Sequence, residues 1–325
     1  MAGHVMYEYL QRPEFNYEVE GTARFDHPQF RKFDALWDVS EIDEFFRSIN
    51  GFFDAIINCI GCLVSDSQAH PDVALRINAA LPRRLEQFFS ESPTKIVHLS
   101  TDCVFDGLKG SPYHVTNLPT DTGPYGFSKF LGEICNEKDW TIRTSIIGPE
   151  LANKPSSGGN SGLLHWFLNQ PEGSEIKGYS HAYWSGISTI ELAEIVAHNL
   201  FEGYSGLHQI CRPFNTSKYE LLREANQVFC RNLTIQPFKF KRVDKSLVPT
   251  NNSPIIKDSY RSMLDEIFDC MGEKSKQVKK STNDSVTTNK FDKNKPDQKK
   301  GVLHATRKES MDTVASYLHQ GSSPE

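Results

Sequence analysis

The first 270 residues alternate short apolar runs with longer segments whose apolar positions recur every three to four residues. Gly3–Leu10 has helical spacing from its first residues. Tyr17–Arg24 alternates with period two and predicts a strand. Ser40, with Asp43 and Glu44 behind it, predicts an N-cap for a helix over Glu41–Ile49. Asp54–Gly61 predicts a buried parallel strand that ends in small and polar residues. Val73, Leu75, Ile77, Ala80, Leu81, Leu85 and Phe88 set a helix over 71–89, which Pro82 should kink. Lys95–Leu99 is a β-rich buried run that empties into Ser100-Thr101-Asp102. A loop rich in Gly, Pro, Asn and Thr follows, and Pro124, near the first helical position, opens a helix through Glu133.

Trp140–Gly148 predicts the next strand, Pro155–Gly162 a flexible lid loop, and Leu163–Leu168 an amphipathic helix. Tyr183–Thr189 then leads into a helix over Ile190–Leu200, and Gly206–Ile210 is a strand. Thr216 or Ser217 caps a further helix, Ile235–Phe240 is a strand, and Ser259–Cys270 closes the pattern as a helix. Strands that alternate with helices predict an α/β fold built on a doubly wound, Rossmann-like parallel sheet. The expected division is a nucleotide-binding domain over 1–150, a smaller α/β substrate lobe over 151–270, and a disordered polar tail over 271–325.

Composition refines this picture at the tail and the cysteines. Residues 271–325 carry 11 Lys/Arg against 7 Asp/Glu, a net charge of +4, whereas the remaining chain carries 25 against 34, a net of −9. A segment so poor in large apolar groups cannot offset its ordering entropy, apart from a short helical pattern near Met311–Leu318. A basic tail can meet an anionic partner or be no more than a solvated end. The whole chain, at −5, gives no reason to expect nucleic acid or an anionic membrane as partner. No apolar run reaches the length of a membrane span. Seven Cys, with no secretory signal read ahead of them, predict reduced thiols and a cytoplasmic protein. Cys59-Ile60-Gly61-Cys62 has C-x-x-C spacing, but it closes a strand and has no second pair, so no metal site is expected.

The chemistry lies between Ser100 and Glu133. Tyr125 and Lys129 are four residues apart and share one helix face. An ammonium beside a phenol favours the phenolate and yields an acid/base group usable near neutral pH. The Thr101 hydroxyl, at the strand end where open parallel sheets bind ligands, can hold a substrate oxygen. The plainer account of Tyr125 and Lys129 is two surface residues at chance spacing. The polar strand end upstream and the Gly/Pro approach favour the catalytic one.

The block KIVHLSTDCVFDG…PYGFSKFLGE resembles the extended short-chain dehydrogenase/reductase superfamily, and within it the dTDP-4-dehydrorhamnose reductase-like branch, whose pattern is STDYVFDG…YG.SK..GE. Cys103 stands at the branch's usual Tyr. The resemblance runs from about Gly3 to about Phe268 and is most specific from Asn58 to Gly148. It implies Thr101, Tyr125 and Lys129 as the catalytic set, with Tyr125 as proton donor and Lys129 also on the nicotinamide ribose. Its cofactor is NADP, with NAD possible. Arg24 at the end of the second strand suits a 2′-phosphate, or is an exposed edge residue. Asp38 and Val39 match the pair along the adenine, with local capping as Asp38's competing role. Asn58, Cys59 and Gly61 match the segment under the cofactor. Asn78 matches an Asn near the active site, although a mid-helix Asn ordinarily faces solvent or bonds its own backbone. Thr144 and Ser145 match the pocket floor, or fill a strand ladder. Trp184 matches a turn facing the sugar.

Gly3 matches only the last glycine of the family's G-x-x-G-x-x-G turn; the strand and the two glycines before it have no counterpart. In the order 3-2-1-4-5-6 that strand is central, so a gap in the sheet is expected, and a late start or a shortened chain is the simplest account. The implied function is an NADP-preferring reductase of a 4-keto-deoxysugar nucleotide in polysaccharide biosynthesis. A nucleotide sugar is the expected partner and a homodimer is a candidate assembly. The alternative is a regulatory or scaffold module that binds the cofactor without turnover, as in the regulatory β-subunit of methionine adenosyltransferase. An epimerase or dehydratase of the same superfamily would need a further acid/base group, for which Asp102 is the candidate.

Overall fold

The computed structural model describes residues 2–149, 162–254, 256, 258–281 and 300–305. The predicted lid loop, apart from Gly162, and the helical pattern at 311–318 lie outside the described residues. Helix α1 (Ala2–Leu10) buries Val5, Met6, Tyr9 and Leu10, and the chain turns at Asn16 (φ 50°) into β1 (Tyr17–Ala23) and β2 (Phe30–Lys32). Helix α2 (Val39–Ile49) starts two residues earlier than predicted. Asp38, not Ser40, is its N-cap, because Glu41 reaches back to the Asp38 N–H (2.9 Å) and closes a capping box.

Strand β3 (Ala55–Asn58) is fully buried, and α3 (Val64–Ala69) follows. The predicted 71–89 helix is α4 (Pro71–Ala74), a π-helical turn over Leu75–Ala80, and α5 (Leu81–Phe88). The distortion lies ahead of Pro82, which has no N–H to offer the i−4 carbonyl, that of Asn78. Gly132, without a Cβ, packs against that carbonyl. Strand β4 (Lys95–Thr101), α6 (Pro124–Leu131) and β5 (Trp140–Thr144) complete the central block.

The second lobe contains β6 (Ile146–Ile147), α7 (Leu163–Leu168), β7 (Glu175–Tyr179), β8 (Ala182–Trp184) and β9 (Ile187–Ser188). Helix α8 (Thr189–Asn199) is capped by Ser188 with Glu191, and β10 (Gly206–Gln209) follows. After β11 (Thr216–Ser217), Ser217 rather than Thr216 caps α9 (Lys218–Val228). Strands β12 (Thr234–Phe238) and β13 (Val243–Asp244) lead to α10 (Tyr260–Ser281), and β14 (Lys300–Ala305) is last.

Among the described residues the main sheet runs β10-β5-β4-β3-β14-β1-β2, and every pairing in it is parallel. Alternate residues feed two cores: Ala55, Ile57 and Val97 pack with α1 and α8, while Ile56 and Ile96 pack with α2, α4 and α5. This is the predicted doubly wound α/β arrangement. The division at residue 150 is not a clean cut, since β10 returns to the main sheet beside β5.

Two findings bear on the tail. Helix α10 continues past Cys270 to Ser281, and Lys300–Ala305, within the stretch predicted to be disordered, forms a strand. That strand occupies the expected gap between β1 and β3. The physical reason is that two parallel strands held a strand-width apart present unpaired N–H and C=O groups, which a segment free of Pro can satisfy. No helix among the described residues is long and apolar enough to cross a membrane, and no disulfide joins any two of the seven cysteines.

Candidate active site

The site grows from the carboxyl end of β4. Thr101 ends the strand, and its side chain accepts the Cys103 N–H (3.1 Å), which turns the chain into a short 3₁₀ segment over Asp102–Val104. Helix α6 then crosses this turn. It comes close because Gly126 has no Cβ: one built there would strike the Cys103 carbonyl and the Asp121 carboxylate. Tyr125, half-buried, is thereby brought to Thr101, and the two side chains are hydrogen-bonded. Lys129, one turn on and buried, donates from Nζ to the Leu99 carbonyl (2.6 Å).

The electrostatics depart from expectation at Tyr125. Lys129 should lower the phenol's pKa, yet burial raises it above its ordinary value; Cys103 and Asp102 add to the rise, and the Thr101 hydrogen bond opposes it. Burial instead lowers Lys129 to about 8, against the pull of Glu133 and Cys59. Lys129 donates to a carbonyl of β4, and burial of the phenol outweighs the expected depression. Burial pushes the neighbouring Cys59 and Cys103 thiols up to about 12, so neither is a thiolate at neutral pH.

Asp102 is a feature that the spacing argument underweights. It is buried, accepts from the Thr101 hydroxyl (3.2 Å) and is hydrogen-bonded to Ser145. Burial raises its pKa, with the Lys245 charge opposing. Ser145 in turn accepts from Trp184 Nε1 (2.8 Å). A polar chain thus runs Trp184–Ser145–Asp102–Thr101–Tyr125. It joins residues from four separate stretches of the chain, and only Thr101 and Tyr125 are signalled by local pattern. Thr144 lies buried beside it, opposite Thr101 in the β4–β5 ladder.

The Asn78 side chain is engaged by the protein itself. Its amide accepts from Cys62 N–H (2.8 Å) and donates to the Cys62 carbonyl (3.1 Å) and Ser128 Oγ (3.1 Å). It therefore clamps the β3 exit to α6. Asn58 makes a similar local bridge, donating to His98 Nδ1 (3.1 Å) and accepting from Ile60 N–H (3.1 Å). Cys59 and Gly61 are half-buried at the same strand end, and Gly3 is buried in the first turn of α1. Beneath these residues Glu133 accepts from Ser100 (2.7 Å) and pairs with Arg143 (2.7 Å), which donates to Gln209 (3.1 Å). That buried network fixes β4, β5 and β10 relative to the end of α6.

The far end of the crevice is a depression lined by Arg24, Phe33, Asp34, Ala35, Leu36, Ile60 and Ile77. Arg24 pairs there with Asp34 (3.0 Å). Asp38 and Val39 are exposed at the start of α2 and do not line it, since Asp38 is the helix cap. The apolar lining comes from three separate segments and has no local motif.

Residues 18–149 match the family described as RmlD substrate binding domain. The match covers about two fifths of the chain. Over 102 residues the chain is 32% identical to a dTDP-4-dehydrorhamnose reductase of Mycobacterium tuberculosis, which is 30% of this chain and 33% of that protein. The match thus spans about a third of that curated relative's length. Among solved structures, the dTDP-4-dehydrorhamnose reductase of Bacillus anthracis in complex with NADP superposes with a TM-score of 0.61 at 19% identity, over 77% of this chain and 98% of that one. The UDP-glucose 4-epimerase of Thermotoga maritima with UDP-glucose gives 0.66 at 15%, over 84% and 96%. At these identities the two structures establish a common fold.

Proposed function

We propose that the protein is an NADPH-dependent reductase of a 4-keto-deoxysugar nucleotide. The observation that carries this reading is the Thr101–Tyr125 hydroxyl pair at the end of β4, with Lys129 one turn along α6. The sequence match to a reductase family and the NADP held by a protein of the same fold point the same way. The residues present suit such a cofactor. Lys129 offers a donor for a ribose hydroxyl, the apolar depression suits an adenine, and Arg24 at its rim suits a 2′-phosphate once Asp34 releases it. A bound nicotinamide supplies the hydride.

The chain's own residues handle the proton. Thr101 orients the carbonyl oxygen of the sugar. Tyr125, kept protonated by burial, gives its phenolic proton to that oxygen as negative charge develops. Lys129 stabilises the phenolate left behind. Asp102 and Ser145 hold the Thr101 hydroxyl in position, and Trp184 holds Ser145 at the side where the sugar enters. Asn78 contributes through the clamp on Ser128 and Cys62.

The test is NADPH consumption with dTDP-4-keto-6-deoxyhexose as substrate. Tyr125→Phe should lower kcat by about 10²- to 10⁴-fold and change NADPH affinity less than about threefold. Wild-type turnover in Tyr125→Phe removes the phenol from the mechanism. Tight NADPH binding with no oxidation across a panel of keto-sugar nucleotides makes the chain a cofactor-binding module instead.

A further inference from the structure

Strand β14 is the last described element of the chain, yet it lies in the middle of the main sheet. Lys300–Ala305 pairs with Tyr17–Thr22 of β1 on one side, and Val302–Ala305 pairs with Ala55–Asn58 of β3 on the other. Both pairings are parallel. Eighteen residues, 282–299, connect it to α10. They are rich in Lys, Asn, Asp, Ser and Thr, and the residues after Ala305 are again polar. The inserted segment itself carries Val302-Leu303 and no Pro.

A central strand joined to the fold by a long polar connector differs from its neighbours. Strands β3, β4 and β5 are tied in by the helices between them. By contrast, β14 is held by its ladder hydrogen bonds and the cover above it. Its ladder is complete only when both β1 and β3 are in place, since it pairs with both. Its release would open the same two edges without unravelling any connection. A covalent connector of eighteen residues keeps such a segment near its slot at a high effective concentration.

We propose that the slot between β1 and β3 is a strand-binding site, and that Lys300–Ala305 is a detachable strand that this chain donates to itself. The ligand class is an extended, Pro-free peptide with adjacent large apolar residues, bound by parallel β-augmentation. The slot opens onto the crevice: Ala305 is in register with both Asn58 and Thr22, at the strand ends where Cys59 and Arg24 follow. Occupancy therefore sets the spacing of the two strand ends that frame it. The proposal stands apart from the reductase reading, and its test requires no cofactor or substrate.

The experiment compares amide hydrogen exchange in the full chain, in the full chain carrying Leu303→Pro, and in a chain ending at Lys299. In the full chain, the amides of Gly301–Ala305 should exchange at least 100-fold more slowly than the same amides in a free peptide of residues 298–307. In both variants, exchange over Tyr17–Thr22 and Ala55–Asn58 should rise at least tenfold. A synthetic peptide of residues 298–307 should restore protection to the shortened chain in a saturable manner, and a scrambled peptide should not. Fast exchange of Gly301–Ala305 in the full chain overturns the proposal, even where the shortened chain fails to fold. Unchanged protection of β1 and β3 in Leu303→Pro also overturns it. A full chain that is dimeric, and becomes monomeric on removal of 300–325, assigns the strand to a second copy and overturns self-donation.

Discussion

Lys129 shows how burial and function oppose each other in one side chain. A lysine in water titrates near 10.4. Here burial lowers it to about 8, and its Nζ has the Leu99 carbonyl as a hydrogen-bond acceptor. The sign follows directly: the folded state releases this proton more readily than the unfolded chain, so below about pH 8 the buried charge costs stability. That cost is relieved as pH rises from about 8 towards the ordinary lysine value. The proposed chemistry needs the charged form. The ratio kcat/KM, which reports the free protein, should therefore fall above about pH 8 with the slope of a single deprotonation. Lys129→Arg, which stays charged, should shift that limb upward by more than about one pH unit at a lower absolute rate. A limb that stays in place in Lys129→Arg would assign it to another group.

Helix α6 and the strand it crosses form the element on which the site depends. Gly126 sits between Tyr125 and Lys129, on the side of the helix that meets the Cys103 carbonyl. A methyl group there cannot fit without pushing α6 away from β4, because the atoms it meets are backbone and a short carboxylate. Gly126→Ala should lower the thermal midpoint by several degrees and reduce turnover by more than tenfold, although neither Tyr125 nor Lys129 is altered. Thermal unfolding monitored by circular dichroism, together with steady-state assay, measures both; an unaffected rate would mean that the approach of α6 to β4 does not position the phenol. The same element shows what the sequence could reveal. Thr101, Tyr125 and Lys129 are legible because a strand end and a four-residue helical spacing are local patterns. The direction of the Tyr125 shift is not, since it depends first on how deeply the hydroxyl is buried, with Cys103 and Asp102 adding to the rise. Nor is the role of Asn78, whose partners lie 16 and 50 residues away. The depression at Arg24 and the insertion of β14 have the same character: each depends on residues distant in sequence and leaves little local trace. The trace for β14 is the Val302-Leu303 pair in an otherwise polar tail, together with a sheet order that lacks its centre.

At the scale of the whole molecule, the two lobes share one apolar core that runs from the main sheet through α8 to α9 and α10. Buried charge at this junction is paired. Arg212 is fully buried and pairs with Glu191 (2.5 Å), the residue that also closes the cap of α8. Glu266 on α10 faces the same region. Burial raises its carboxyl to about 7, Glu191, Glu194 and Asp258 push in the same direction, and Arg12 opposes them. An acid whose folded pKa is raised holds its proton longer in the folded state than in the unfolded chain. Stability should therefore fall as pH rises from the unfolded value of about 4.3 to about 7, and stay reduced above that. Glu266→Gln removes the titration while keeping the shape. Because the side chain is only partly buried, the gain at pH 8 should be about 1 kcal/mol, well below the full shift. At pH 4.5 the variant and the parent should unfold at nearly the same urea concentration, and the difference should open between pH 5 and pH 7. An equal gain at pH 4.5 and pH 8 would show that the substitution acts through packing of α10 and not through the charge that its docking onto α8 and the chain after α1 must accommodate.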